Sequence, residues 1–208
     1  MLENLSTILE SPSSSFALLG IFLLIIFGFY LRRIKLTTPM LINISLMLAL
    51  AILLSNFRLY HFPQGGNVTL GAMIPLLIIS FRYGAGVGAL AGFLFGLIQI
   101  IQDPFILHPI QVLFDYPLPF MMFGLAGFLS RRFILASIVA FAGRFACHFI
   151  SGLVFFASYA PEEMSPVIYS LVANATYIVP ELLICCLILK ILPMERLLAA
   201  MDKNSPRN

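Results

Sequence analysis

The feature that most restricts this chain is a series of seven apolar runs, at about residues Phe16–Leu31, Met40–Phe57, Val68–Phe81, Gly84–Ile101, Tyr116–Ser130, Phe133–Phe156 and Val167–Leu192. A helix needs roughly 20 apolar residues to cross the hydrocarbon of a bilayer, and most of these runs approach that length. The period-two alternation of an outer-membrane barrel is absent. Composition agrees: 61% of the 208 residues are hydrophobic and only 10% are charged. The mean hydropathy is +1.02, far from that of a soluble domain. The expected class is an all-α, polytopic helical membrane protein. The region before the first run carries Glu3 and Glu10, no Lys or Arg and no small-residue cleavage site, so that run reads as a retained helix rather than a signal peptide.

The few charges orient the chain. Arg32, Arg33 and Lys35 follow the first run, Arg82 separates the third from the fourth, and Arg131 and Arg132 separate the fifth from the sixth. Lys190, Arg196, Lys203 and Arg207 come at the end. With the N-terminus outside, ten of the twelve basic residues fall on the cytoplasmic side, as the positive-inside rule requires. The expected division is an N-terminal transmembrane helix and basic linker at 1–36, a six-helix unit at 37–193 and a cytoplasmic tail at 194–208.

Several function classes drop out. There is no Gly-rich phosphate loop and no basic run suited to nucleic acid, so any ATP-derived energy has to come from another chain. Cys147, Cys185 and Cys186 lie in apolar runs without metal-ligand spacing and read as small apolar residues; neither a metal nor a cofactor is expected. Gly88, Gly92 and Gly96 place side-chain-free positions along one helix face, which favours close packing over ligand contact.

Polar groups inside hydrocarbon are costly unless satisfied, which makes them functional candidates. At 1.5 Å per residue, His148 lies about 12 Å from the outer end of the sixth run and Asn174 about 10 Å down the seventh. Asp115 and Tyr116 stand at the outer entrance of the fifth run, with Phe155, Phe156 and Tyr169 near the same level. Together they outline an outward-facing pocket with one carboxylate and several rings, suited to a small planar cation. Blander readings compete. Asp115 could cap the fifth helix ahead of Pro117; His148 could be a satisfied core histidine; Asn174 could simply join helices. Arg144, one turn from His148, reads as a buried counter-charge or as a donor to the last carbonyls of a neighbouring helix, and Glu181 beside Pro180 as a partner for kinked backbone. The loop "RLYHFPQGGNV" reads equally well as a lid or a re-entrant turn. An intramembrane hydrolase using His148 with Ser151 or Asp115 has no accompanying nucleophile motif.

Four stretches, in order, carry a resemblance: "PQGGNVTLGAMIPLLIISFRYG", "ILHPIQVLFDYPLPF", "RFACHFISGLVFFASYAP" and "IYSLVANATYIVPEL". Over about Leu41 to Leu192 the chain resembles the thiamine-specific substrate-binding subunits (S components) of energy-coupling factor (ECF) transporters. The resemblance implies a six-helix bundle, with the first run an extra helix. It implies that Asp115, His148, Tyr169 and Asn174 line a thiamine pocket, with Tyr116 and Phe156 at further pocket positions. It also implies that a small-xxx-small pair, here Ser45 and Ala49, packs against an ECF transmembrane coupling subunit served by two ATPase subunits. The expected function is capture of thiamine from outside, without chemistry, for ATP-driven uptake across a prokaryotic plasma membrane. The alternative is a stand-alone, proton-coupled transporter of thiamine or another organic cation using Asp115 or Glu181.

Overall fold

A computed structural model describes residues 12–32, 34–62 and 66–203. Glu3, Glu10, Arg33 and Arg207, and Pro63, Gln64 and Gly65 of the loop, lie outside the described residues. The elements run α1 (Pro12–Leu31), α2 (Thr38–Ser55), β1 (Arg58–His61), β2 (Asn67–Thr69), α3 (Ile74–Gln102), α4 (Pro109–Asp115) and α5 (Pro117–Met121). A 3-10 helix (Met122–Leu129), α6 (Phe133–Phe155), a 3-10 turn (Ala157–Tyr159), α7 (Pro166–Ile191) and α8 (Met194–Lys203) complete the order. The protein is a polytopic helical membrane protein. Among the described residues, α2, α3, the stretch Pro109–Leu129, α6 and α7 are long and apolar enough to cross a bilayer, and Leu18–Phe29 of α1 is a shorter apolar helix.

α3 is two helices joined at a sharp bend. Gly84 has φ 83 and ψ 178, a conformation open to glycine and strained for other residues. The bend brings Gly88 against Ser80, so that a Cβ on Gly88 would overlap the Ser80 hydroxyl; in a straight helix eight residues span about 12 Å. The bend falls between the expected third and fourth runs, but the third, Val68–Phe81, is not helical throughout. Val68 and Thr69 belong to β2, and only residues 74–83 are helical before the bend. The Thr69 hydroxyl donates to Glu181 at 2.7 Å, and the chain turns at Gly71, φ 85, before the helix begins.

The fifth span also starts earlier than Tyr116. The Ile110 N–H donates to His108 Nδ1 at 3.2 Å, and Pro109, which has no N–H to satisfy, occupies the first turn. The helix stops at Asp115 because Tyr116 precedes Pro117, whose ring disfavours helical backbone in its neighbour; Tyr116 has φ −120 and ψ −78. The broken segment lies close to α3, where a Cβ on Gly92 would overlap the Phe120 carbonyl and one on Gly96 would come within 2.6 Å of the Tyr116 oxygen. The glycine stripe is thus a packing device.

The main core centres on Leu76, Leu77, Ile79, Phe95, Phe123 and Phe141, all fully buried. α1 packs beside a second, smaller cluster of Phe114, Leu118 and Met121, with Phe27 6.2 Å from Phe93. α8 is anchored by buried Met194 and Met201. The C-terminal ends of α2, α3 and α6 and the N-terminal ends of α4 and α7 meet at one end of the bundle. Arg82, Arg131, Arg132 and Lys190 lie toward the other.

Candidate functional site

At that first end is a cavity of about 310 Å³, near the lower end of the range for small-molecule sites. Asp115, Tyr116, His148, Phe156, Tyr169 and Asn174 all line it. They come from α4, the α4–α5 break, α6 and its C-terminal cap, and α7. Ser45 and Ala49 do not; they share the exposed face of α2. None of the three stripe glycines lines it either.

Asp115 lies about 9 Å along the span from Pro109, not at its entrance. It does not cap the helix, a part taken by His108. Its carboxylate accepts from Gln111 Nε2 at 2.5 Å and meets His148 Nδ1 at 3.3 Å. His148 Nε2 has no hydrogen-bond partner among the described residues, and the ring stands edge-on to Tyr177, with centroids 5.9 Å apart. Asn174 is at the depth of His148, whose carbonyl accepts from its Nδ2 at 3.3 Å. It also donates to the Ser170 carbonyl at 2.8 Å and accepts from the Tyr177 hydroxyl at 2.7 Å. Asn174 therefore joins α6 to α7 and lines the cavity at once. Gly152 allows that approach, since a Cβ there would overlap the Ser170 hydroxyl. The Tyr116 hydroxyl is engaged with the loop after α3, accepting from Phe105 N–H at 2.6 Å and donating to the Asp103 carbonyl at 2.8 Å.

Asp115 is not the cavity's sole acid: Asp103 and Glu181 line it too. Both have cationic partners. Arg144 meets Glu181 at 2.7 Å, with both side chains buried, and its guanidinium lies 5.1 Å from the Phe120 ring centroid. Arg144 is thus the expected buried counter-charge. Glu181 serves this pair and Thr69 rather than kinked backbone, which corrects the expectation for it. Arg58 meets Asp103 at 3.0 Å, and Asn67 donates to the same carboxylate at 2.9 Å. That leaves Asp115 as the cavity's one carboxylate, among the described residues, that neither Arg nor Lys neutralises.

β1 and β2 form an antiparallel hairpin that contributes His61, Asn67 and Thr69 to the cavity lining, with Phe62 just beyond β1. Phe62 packs on Tyr177 at 5.9 Å, and Gly66, at φ 93, sits so near the Tyr177 ring that a Cβ would come within 2.8 Å. This is the position the lid reading requires. Phe105 stacks on Phe156 at 5.8 Å, adding an aromatic wall. Ser151 makes no hydrogen bond to His148 and does not line the cavity, so the Ser151 form of the hydrolase arrangement is absent among the described residues, while the His148–Asp115 pair is present in the cavity wall.

Gln111, Phe105, Tyr177 and Asp103 are lining residues that sequence reasoning does not single out. Two have a legible signal: Tyr177 follows Asn174 by three residues and Gln111 precedes Asp115 by four, spacings that share a helix face. Gln111 is hidden by a helix start placed too late.

The comparisons with known proteins agree with this architecture. Residues 41–200 match the family model described as thiamine transporter protein (Thia_YuaJ). The thiamine transporter ThiT of Bacillus subtilis is 40% identical over 173 residues, covering 74% of this chain and 90% of that protein. ThiT of Lacticaseibacillus paracasei is 32% identical over 122 residues, 49% of this chain and 61% of that protein. A solved structure of ThiT from Listeria monocytogenes matches with a TM-score of 0.67 at 24% identity, over 79% of this chain and 96% of that one, and supports the fold.

Proposed function

The chain belongs to the thiamine transporter (Thia_YuaJ) family as a thiamine-specific S component, and on that premise we propose that its cavity captures thiamine from outside the cell for uptake driven by partner subunits. The family is one of transporters, not enzymes. One observation carries the reading: six residues drawn from α4, the α4–α5 break, α6 with its cap, and α7 surround a single hollow whose only acid without an Arg or Lys partner, among the described residues, is Asp115. Thiamine joins two flat aromatic rings, one of them a cationic thiazolium, and such a carboxylate beside aromatic side chains suits both the charge and the ring faces.

Asp115 accepts hydrogen bonds from the aminopyrimidine and offsets the thiazolium charge. His148 and Asn174 set ring orientation, and Tyr116, Phe156 and Tyr169 supply aromatic surface. Residues 37–193 form the substrate-binding unit, with the cavity end outside, the N-terminus outside and the C-terminus cytoplasmic in a prokaryotic plasma membrane. Ser45 and Ala49, exposed on α2, offer small side chains for close approach by an ECF transmembrane coupling subunit, which works with two ATPase subunits. Release follows when that complex favours a form that binds thiamine less well.

The test is thiamine binding by the purified chain without ATP, set beside Asp115→Asn. The near-isosteric amide removes the charge, and affinity falls tenfold or more, about the worth of a charged hydrogen bond. Equal affinity in both proteins would remove Asp115 from the site. Thiamine uptake into liposomes holding this chain alone would favour the stand-alone, proton-coupled transporter instead.

A further inference from the structure

We propose that Gln111 is a positioning residue for the binding carboxylate, holding Asp115 in register with the loop that walls the cavity. The inference rests on the reading of Asp115 as the group that receives thiamine. Gln111 is only 1% exposed, and its amide is fully engaged. Nε2 donates to Asp115 Oδ2 at 2.5 Å and to the Phe105 carbonyl at 3.0 Å. Oε1 accepts from Leu107 N–H at 3.0 Å and from His108 N–H at 3.5 Å. Two donors face two acceptors and one acceptor faces two backbone donors, which fixes which way round the amide sits.

This arrangement does two things. It occupies one oxygen of Asp115, while His148 stands at the other at 3.3 Å, so the carboxylate has a set plane rather than a free rotor. It also ties that plane to residues 105–108, and Phe105 of that loop stacks on Phe156 across the cavity wall. The side chain that orients the charge thereby also seats an aromatic wall. A donor is required in this place. A carboxylate would meet Asp115 as a like charge, and an apolar side chain would give up the bonds to the Phe105 carbonyl and the Leu107 N–H together with the one to Asp115.

A double-mutant cycle in the full chain tests the inference, with thiamine affinity measured for wild type, Gln111→Met, Asp115→Ala and the pair. Gln111→Met keeps length and removes the hydrogen bonds; affinity is expected to fall about tenfold. If Gln111 acts through Asp115, Gln111→Met has little further effect once Asp115 is alanine, so the pair binds about as Asp115→Ala does. A purely structural role gives independent losses that multiply, and that result overturns the proposal. Wild-type affinity in Gln111→Met overturns it too, while leaving the thiamine reading intact. Wild-type affinity in Asp115→Ala removes the thiamine assignment of Asp115 itself, and the inference with it. Should Gln111→Met not fold, Gln111→Asn in the same cycle shortens the side chain by one methylene and withdraws its donor from Asp115 without adding a charge, with the same outcomes deciding.

Discussion

At the residue scale, the cavity is defined less by which charges it holds than by which remain available. Among the described residues three carboxylates face it, and a buried charge is tolerated only when paired and hydrogen-bonded. Glu181 has Arg144 and Thr69, and Asp103 has Arg58 and Asn67. Breaking one buried pair exposes the logic. Arg144→Met leaves Glu181 buried, 1% exposed, without its cation, and should cost about 3–5 kcal/mol of stability. Arg144→Met with Glu181→Leu removes both charges and should recover most of that loss. Unfolding of the two variants in detergent measures the difference; a double variant no more stable than the single one would count against the pair as an isolated unit.

At the element scale, irregular backbone does the positioning. The break at Tyr116 ends α4 with Asp115 at its last turn, and the bend at Gly84 lets a short and a long helix pack together where one straight helix would run about 44 Å. Nothing lies within 4 Å of a Cβ built at Gly84, so Gly84→Ala tests backbone strain without any clash. With φ 83 and ψ 178, the substitution should cost about 1–3 kcal/mol, read as a lower melting temperature of the detergent-solubilised protein. A melting temperature matching wild type would mean that alanine can occupy the bend. The hairpin shows the same reliance on context: two strands of four and three residues would not persist alone, but Phe62 and Gly66 seat them on Tyr177.

At the scale of the whole molecule, the binding end and the proposed partner face are separate. The cavity is enclosed where α2, α3, α4, α6 and α7 meet, while Ser45 and Ala49 look outward from α2 beside the exposed side chains of Ile42, Leu46 and Leu53. Ser45→Leu with Ala49→Leu should therefore leave thiamine affinity within about twofold of wild type, since neither side chain lines the cavity. It should abolish co-purification with the coupling subunit, because bulky side chains block close helix approach. Co-purification at the wild-type level would place the partner contact elsewhere.

What the sequence determined by itself follows from short-range and solvent-driven effects. Long apolar runs need no tertiary information to be assigned to a bilayer, and the basic residues sort by side as soon as the runs are counted. The depth of His148 and Asn174 is likewise a matter of counting residues along rigid helices, and the two do meet across α6 and α7. Tertiary structure decided how much of the third run is helical and which charges are taken. The partition of Val68–Phe81, where Thr69 meets Glu181, and the pairing of Glu181 with Arg144 across 37 positions depend on groups far apart in the chain, whereas the start of α4 at Pro109 rests on a local cap from His108. Local propensity carries no record of such a partner. The availability of Asp115 is therefore a property of the folded bundle, fixed by the cations that its neighbours hold.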